Sequence, residues 1–260
     1  MAYEFIKVDR DGPVTIFTLN RPDVMNALHS PAHFEMDEAL NAFAADDSQW
    51  VGIVTGAGER AFSAGNDLKW QATGGKMGSP ASGFAGLTSR FDLTKPLIAA
   101  VNGVAMGGGF EIALACDLIV ASDNAIFALP EPKVGLAALA GGLHRLPRAI
   151  GVKRAMGMIL SARRVSAKEG FELGFVNEVT TKEDLMAAAR RWAGLIAECS
   201  PMSIRASKQA VMRGLDEVSL EAAIKGQNKY DAVAALFKSQ DFIEGPKAFA
   251  EKRPPNWTGR

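Results

Sequence analysis

The sequence predicts an α/β protein, because strand-like and helix-like patterns alternate along most of the chain. Two apolar runs, at 14–19 and 50–55, have the composition of buried strands, and a helical pattern starts between them at Ser30. A third apolar run, 97–101, leads through three consecutive glycines, 107–109, into a second helical segment. Strands that alternate with helices in this order are typical of α/β architecture.

The first elements are predicted to be a hairpin and a helix. β-rich segments at 4–8 and 14–19 flank a turn at 9–12, which predicts two antiparallel strands that start a sheet. Ser30 and Pro31 predict a helix start, with Ser30 as the N-cap and Pro31 at the first helical position.

A glycine-containing segment follows the strand at 50–55. Gly56, Gly58 and Ala61 match the loosened dinucleotide fingerprint G-x-G-x-x-A. A Rossmann helix should follow such a fingerprint at once, with an acidic residue about 20 positions further on. Here a second glycine turn at 64–65 intervenes, so the sequence argues against a dinucleotide site and against an NAD-dependent dehydrogenase.

Residues 72–89 are rich in glycine and serine and lack periodicity. Such a stretch is typical of a plain surface loop or of a mobile lid over a ligand, and the sequence leaves both interpretations open. Because the stretch follows the turn at 64–65 closely, a lid would lie near any ligand bound there.

The middle of the chain predicts a strand, a rigid turn and a basic helix. The strand is expected at 125–129 and the turn at Pro130-Glu131-Pro132. A small-residue region, 135–142, then leads into a helical segment that carries His144, Arg145 and Arg148.

A short helix at 166–173 shows a capping-box start, with Ser166 as the N-cap and Glu169 three residues later. Gly174 can end this helix, and the last strand is expected at 175–179.

Helical periodicity dominates from Lys182 to the end of the chain. We therefore predict a core domain over 1–195 and a helical region over 196–260.

The composition indicates a soluble globular chain, since it is 48% hydrophobic and 22% charged, with ample material for a core. Lys plus Arg and Asp plus Glu number 29 each, so the net charge is zero. A general nucleic-acid binder would carry a basic excess, so the balanced charge argues against that class, whereas a small polyanionic ligand needs only a local basic patch.

No targeting or membrane signal is expected. The first residues lack the apolar centre of a signal peptide, and no apolar run approaches the ~20 residues of a membrane span. A cytoplasmic location is the expectation. Cys116 and Cys199 lie far apart in apolar sequence contexts and are predicted to be buried, reduced thiols.

Two glutamates are the candidates for proton transfer. Glu111 follows the glycines 107–109, which leave backbone N–H groups uncovered at a helix N-terminus, where the helix dipole favours negative charge. Glu131 lies between two prolines at a strand end. Apolar neighbours can raise a carboxyl pKa toward neutrality, which suits proton transfer without a metal. The alternatives are a helix-terminal charge for Glu111 and an exposed turn residue for Glu131.

Other chemistry has weaker support. His29 and His33 have i,i+4 spacing, but Pro31 lies between them and no Cys or carboxylate cluster joins them, so a solvated or capping role is expected and no metal site. The chain has no G-x-S-x-G nucleophile elbow, and Ser63 is a weak nucleophile candidate.

Five groups of residues, spread over almost the whole chain, form a pattern. No single group identifies a protein family, but all five in this order do. They are Asn20-Arg21-Pro22 with Asn26-Ala27-Leu28, AFSAGNDL at 61–68, KPLIAAVNGVAMGGGFEIALACDLIVAS at 95–122, FALPEPKVGL at 127–136 and GPKAFAEKR at 245–253. In this order they resemble the enoyl-CoA hydratase/isomerase (crotonase) superfamily. The resemblance implies a spiral of repeated ββα turns and a C-terminal helical trimerisation region.

The resemblance also implies a mechanism. Two backbone N–H groups, matched here by Ala64 and Gly108, stabilise the enolate of an acyl-CoA thioester. The two catalytic glutamates of hydratases match Glu111 and Glu131, which implies syn addition of water to a trans-2-enoyl-CoA with no cofactor other than the CoA carrier. Glu111 acts as base toward the water, and Glu131 delivers a proton to the α-carbon.

Contacts to CoA are implied for seven residues, and the implied assembly is a homotrimer or a dimer of trimers. The residues are Arg60, Ala61, Phe62, Asn66, Asp67, Leu68 and Lys252. Lys252 matches a position that reaches a CoA phosphate.

One segment departs from the hydratase pattern. Typical hydratases carry a proline before the Gly-Gly that ends 135–142, and this chain does not, so the acyl-chain preference is open. The segment FALPE and the C-terminal run EGPKAFAEKRPPNWTGR also resemble the carnitinyl-CoA dehydratase branch, which performs the same elimination on another acyl group. A non-catalytic or RNA-binding member of the fold is a third hypothesis, which both glutamates and the balanced charge disfavour.

Overall fold

Strands and helices alternate up to residue 180 and helices alone follow, which confirms the α/β class. The computed structural model describes residues 3–260. The strands are β1 (Ile6–Asp11), β2 (Val14–Leu19), β3 (Val51–Gly56), β4 (Ala61–Ser63), β5 (Leu97–Val101), β6 (Val104–Met106), β7 (Leu118–Ser122), β8 (Ile126–Ala128), β9 (Val165–Ser166) and β10 (Glu178–Thr180).

The helices of the described chain are unequal in length, and those before β10 lie between strands. They are α1 (Ser30–Ala45), α2 (Leu68–Ala72), α3 (Gly108–Ala115), α4 (Gly142–Ile150), α5 (Val152–Ser161), α6 (Ala167–Leu173), α7 (Leu185–Ala197), α8 (Pro201–Gly214), α9 (Leu220–Gly226), α10 (Asp231–Leu236) and α11 (Gln240–Glu251).

The strands form two sheets, and the chain alternates between them. The six-stranded sheet has the order β1-β2-β3-β5-β7-β10, and the four-stranded sheet has the order β4-β6-β8-β9. From β3 to β8, each odd-numbered strand joins the larger sheet and each even-numbered strand joins the smaller one, and these six strands pair in parallel with one another within each sheet. The last strand of the smaller sheet, β9, is antiparallel to β8. Each turn therefore adds one strand to each sheet and then a helix, which confirms the predicted ββα spiral.

The predicted hairpin is present, with β1 antiparallel to β2 and Asp11 paired with Val14. The pairing extends to the end of β1, so the turn is shorter and later than the predicted 9–12.

The last strand was predicted at 175–179, but it spans Glu178–Thr180, so its predicted start is three residues too early. The N–H groups of Phe175 and Val176 both donate to the Gly170 carbonyl, at 3.1 and 3.2 Å, and close the end of α6. They are therefore not available to the sheet, and the strand begins only at Glu178.

Helix caps follow the prediction at α6 and depart from it at α1. The Ser166 hydroxyl accepts the Glu169 N–H at 3.2 Å, and Gly174 ends α6 in the left-handed region with φ 99°. At α1 the N-cap is His29, without a side-chain hydrogen bond, and Ser30 is already helical.

The main core lies between the two sheets and helices α1, α3 and α4. Four phenylalanines, Phe17, Phe62, Phe110 and Phe127, are fully buried there. A second core forms where α7 packs on the other face of the larger sheet, against β3, β5 and β7. The division of the chain at 195/196 stays a prediction.

The cysteine expectation is confirmed for one residue and wrong for the other. Cys116 is buried and free, whereas Cys199, beyond the end of α7, is free but exposed. Within residues 3–260, no helix combines the length and the apolar character that a bilayer crossing requires.

The two histidines at the start of α1 are buried, so the expected solvated role is wrong, although His29 does hold the N-cap position. His29 and His33 are 3% and 2% exposed. The His33 Nδ1 accepts the Ala85 N–H at 3.0 Å, and its ring lies 4.3 Å from the Phe84 ring. His33 therefore ties α1 to the segment 84–88, and burial lowers its pKa to about 4.

The stretch 72–89 divides into two parts. Residues around 74–79 are mostly exposed, whereas Ala85–Thr88 are buried against α1. The second part is thus a packed element and not a surface loop.

Acid should destabilise the fold through His33. The His33 pKa is about 4 in the folded chain and about 6.5 when exposed, so between these values the unfolded chain binds more protons and stability falls as pH falls. We expect a loss of about 2 kcal/mol of unfolding free energy between pH 7 and pH 5 from this residue. Glu111 changes stability in the opposite direction over this range, so the His33 contribution is measured as the difference between the wild type and a non-titrating variant in urea denaturation at both pH values.

The matched comparison uses His33→Asn, whose Oδ1 can still accept the Ala85 N–H but does not titrate. On going from pH 7 to pH 5, that variant should be favoured over the wild type by about 2 kcal/mol of unfolding free energy. His144→Asn, at an exposed position of α4, should keep the wild-type pH dependence. Equal pH dependence in the wild type and His33→Asn would contradict the assignment.

Candidate active site

Two backbone turns meet at the carboxyl ends of β4 and β6, which are parallel neighbours. An added Cβ on Gly65 would lie 2.7 Å from the Gly108 nitrogen, and an added Cβ on Gly109 would overlap the Ser63 carbonyl oxygen. Only glycine permits this approach of backbone to backbone. The sequence-predicted residues Ala64 and Gly108 are thereby brought to one corner.

Of the two predicted backbone donors, one N–H group is free and the other already forms a hydrogen bond. Gly108 is the first residue of α3, and its N–H has no hydrogen-bond partner within residues 3–260. The Ala64 N–H donates to the Met25 carbonyl at 2.9 Å. A ligand oxygen at Ala64 would therefore have to displace or share the Met25 carbonyl.

Asn26 organises the turn that carries Ala64, and sequence reasoning did not assign it this part. Its side chain accepts the Arg21 N–H at 3.0 Å and donates to the Ala57 and Ala61 carbonyls at 2.9 and 2.8 Å. Asn26 is 1% exposed and has φ 54°, a left-handed conformation that asparagine tolerates better than most residues.

Ser63 belongs to the same network and not to a nucleophile site. Its hydroxyl donates to the Asn26 carbonyl at 2.8 Å and accepts the Gly65 N–H at 3.1 Å. Both bonds hold the turn in place.

Glu111 lies in the first turn of α3 and is only 3% exposed, so it is not a surface charge at a helix terminus. Its Oε1 accepts the Gly142 N–H at 2.8 Å. Burial, with repulsion from Glu131, raises the pKa of Glu111 to about 7, although hydrogen bonds from Gly142 and Ala140 and the charge of Arg145 oppose the rise. At neutral pH this carboxyl can therefore both take up and release a proton.

Glu131 begins the 3₁₀ turn Glu131–Val134 that follows β8. Its Oε1 faces Gly107, where an added Cβ would come within 2.9 Å. Its buried Oε2 has no hydrogen-bond partner in the described chain, and burial raises the Glu131 pKa. Because β6 and β8 are parallel neighbours, both carboxyls stand at the same end of the smaller sheet.

Phe84 covers the same corner and was not found from the sequence. An added Cβ on Gly108 would lie 2.6 Å from the Phe84 ring. The stretch 72–89 has no periodicity, so only the tertiary structure could show that one of its side chains reaches α3.

Six of the predicted CoA contacts lie in two runs, 60–62 and 66–68, on either side of the turn at 64–65, and the seventh lies apart. Arg60 is exposed, Ala61 and Phe62 are buried in β4, and Asn66 to Leu68 lead into α2. Asp67 has a structural part as well, since it caps α2 and pairs with Arg21 at 2.9 Å. Lys252 is exposed at the end of α11, which packs on α8. These contacts stay predictions.

No group of three His, Cys, Asp or Glu side chains in residues 3–260 is arranged to hold a metal ion. The corner holds two carboxyl groups with raised pKa and a backbone N–H donor at a helix start.

Family comparison agrees with this geometry. The profile of the family described as Enoyl-CoA hydratase/isomerase matches residues 9–260. The chain belongs to the enoyl-CoA hydratase/isomerase family. Among curated relatives, carnitinyl-CoA dehydratases of Salmonella enteritidis PT4 and Salmonella typhi are each 43% identical to it over 99% of both chains.

Solved structures of this family are similar throughout their length. An enoyl-CoA hydratase from Mycobacterium marinum shares 38% identity, covers 98% of this chain and 99% of its own, and superposes with a TM-score of 0.91. An enoyl-CoA hydratase from Mycobacterium tuberculosis shares 36% identity with the same coverage and a TM-score of 0.92. The spiral fold is thus that of family enzymes.

Substitution at Gly109 should separate the two turns. In Gly109→Ala the new methyl group would overlap the Ser63 carbonyl, so we expect the unfolding free energy to fall by about 2–3 kcal/mol through overpacking. Gly157→Ala is the matched control, because the same addition in α5 meets no atom within 4 Å and should be neutral or stabilising. Equal stabilities in urea would show that the turns do not require the contact.

Proposed function

We propose that the chain is a hydro-lyase that adds water reversibly to a trans-2-enoyl-CoA and forms a 3-hydroxyacyl-CoA. The observation that carries this proposal is the buried carboxyl of Glu111 and the half-buried carboxyl of Glu131, whose Oε2 is buried, beside the unpartnered N–H of Gly108. The family of the chain and the dehydratase and hydratase names of its relatives support it.

The proposed reaction balances between the two carboxyls. Glu111, as carboxylate, takes a proton from water while the water oxygen bonds to the β-carbon. The electron pair of the double bond moves to the thioester oxygen as an enolate, and Glu131, as carboxylic acid, gives its proton to the α-carbon. Addition on one face gives the syn product. Proton exchange through solvent restores both carboxyls.

The enolate oxygen is proposed to bind the N–H groups of Gly108 and Ala64. A donor at the start of α3 also has the helix dipole behind it, which favours negative charge. Because Ala64 donates to Met25 in this structure, binding at Ala64 requires that bond to open or to become shared.

The CoA carrier is proposed to lie along residues 60–68, with Lys252 near a phosphate, and no further cofactor is needed for the reaction. The acyl group is proposed to contact the segment 135–142. Leu136 and Leu139 are 50% and 79% exposed there, which favours an apolar acyl chain.

A second candidate is a carnitinyl-CoA dehydratase-like activity. It is favoured by the 43% identity to enzymes of that name over 99% of both chains. The two activities use the same carboxyl chemistry and differ in the group beyond the β-carbon.

We further propose a homotrimer or a dimer of trimers in the cytoplasm. Many large apolar side chains of α8, α9 and α11 are exposed in the single chain, among them Val211, Leu220 and Phe249. Exposed apolar surface of this extent is typical of a protein interface.

The substrate class is tested by the loss of enoyl-thioester absorbance with crotonyl-CoA, longer 2-enoyl-CoAs and crotonobetainyl-CoA. We expect turnover of the simple chains. Turnover of crotonobetainyl-CoA alone would replace the first proposal by the second, and silence on all would refute both. Light scattering of the same preparation should give three or six chains, and a mass of one chain would contradict the assembly.

Glu111→Gln and Glu131→Gln should each lower kcat by about two or more orders of magnitude with little change in KM, because each removes a proton-transfer group and not a binding contact. In the wild type, kcat/KM for hydration should rise with pH up to about 7, where Glu111 becomes the carboxylate. Steady-state kinetics across pH measure both effects.

Glu172→Gln is the control for these variants, since Glu172 is an exposed residue of α6. It should match the wild type. Near wild-type turnover in either active-site variant would refute the role given to that glutamate.

A further inference from the structure

Arg145 is a half-buried cation of α4 that forms no ion pair. None of the salt bridges within residues 3–260 includes it. Burying a guanidinium without a carboxylate partner carries a desolvation cost. Contacts other than an ion pair must therefore offset the desolvation cost of this guanidinium.

The Arg145 guanidinium lies between two segments of backbone. Its Nη2 donates to the Thr88 carbonyl at 2.8 Å. Its Nη1 lies directly against Gly141, where an added Cβ would overlap it, and its Cζ stands 5.8 Å from the Phe91 ring centre. One planar group thus contacts both the segment 84–88 and the turn 141–142.

Each of these segments also contacts the candidate active site. At one end of 84–88, Phe84 packs over Gly108, the proposed oxyanion donor. In the turn 141–142, the Gly142 N–H holds the Glu111 carboxyl at 2.8 Å. Arg145 therefore connects the wall over the oxyanion donor to the loop that orients the base.

The charge of Arg145 acts on Glu111 as well. The charged groups that face Glu111 are Glu131, which raises its pKa, and Arg145, which lowers it. Burial lowers the pKa of Arg145, nearby Cys116 and Glu111 oppose that effect, and the positive charge of Arg148 adds to it. Loss of the positive charge should therefore raise the Glu111 pKa further.

We propose that Arg145 is a positioning residue of the hydration reaction, which braces the 84–88 segment against the 141–142 turn and so keeps the Glu111 carboxyl oriented beside a positive charge. The proposal rests on the proposed function in using Glu111 as the base. Arg145 acts through Thr88 and Gly141 and is not assigned contact with the substrate.

The test compares Arg145→Met and Arg145→Lys with the wild type on whichever CoA ester the wild type turns over. For Arg145→Met we expect kcat to fall on the order of tenfold, with KM within about twofold, because orientation is lost and binding is not. The acidic limb of kcat/KM should move up by about one pH unit, since an opposite charge near Glu111 is gone.

Arg145→Lys separates the charge from the brace. A lysine keeps the positive charge but lacks the planar fork, so the acidic limb should stay near its wild-type pH while kcat remains reduced. Arg148→Met is the matched control, because Arg148 is an exposed residue of the same helix that bonds only the His144 carbonyl. It should leave both kcat and the pH profile unchanged.

Three results would overturn the proposal. One is an unchanged kcat and pH profile in Arg145→Met. Another is a loss of kcat in Arg145→Met with an unmoved acidic limb. The last is a Lys variant whose limb moves as far as that of the Met variant. Circular dichroism and thermal melting establish that each variant is folded.

A readout without turnover separates this proposal from the proposed function. ¹³C NMR of glutamate-labelled protein, with Glu111 assigned from the Glu111→Gln spectrum, follows the titration of Glu111 directly. A higher midpoint in Arg145→Met supports the link even if no CoA ester is turned over, and an equal midpoint in wild type and variant overturns it.

Discussion

The structure depends on one close contact of backbone against backbone. The turn after β4 and the glycine turn after β6 approach so closely that Gly109 has no room for a side chain beside the Ser63 carbonyl. This contact leaves the Gly108 N–H uncovered at the start of α3 and places the Ala64 turn beside it. The parallel pairing of β4, β6 and β8 then sets Glu131 next to the same corner.

The site works against the stability of the fold. Because the Glu111 pKa rises from about 4.5 to about 7 on folding, the folded chain binds more protons than the unfolded chain between these values. Stability from this residue falls as pH rises through that window, by about 3 kcal/mol in total. Two backbone N–H groups and the charge of Arg145 offset part of the rise in pKa that burial causes, so the Glu111 pKa stays at about 7.

A single loop serves both carboxyls. Glu131 begins the segment 131–142, and the N–H of Gly142 at its end binds Glu111. Departures from the hydratase pattern within 135–142 therefore bear on the orientation of the Glu111 carboxyl. Arg145, one turn further along, joins the end of this loop to Thr88, so the segment 84–88, the turn 141–142 and Glu111 are connected by direct contacts.

The amino-acid sequence by itself determined the α/β class, the hairpin and the capped helix α6, and it singled out the two glutamates as candidates for proton transfer. These features depend on periodicity, turn residues and glycine runs, which are patterns among neighbouring residues. It misplaced the last strand and the cap of α1, and it left His33 and Cys199 with the wrong environments. Only the tertiary structure decided which distant groups meet: Phe84 over Gly108, Asn26 behind Ser63, and Gly142 on Glu111. These contacts join residues far apart in the chain, and the packing of the spiral that creates them leaves no local pattern to read.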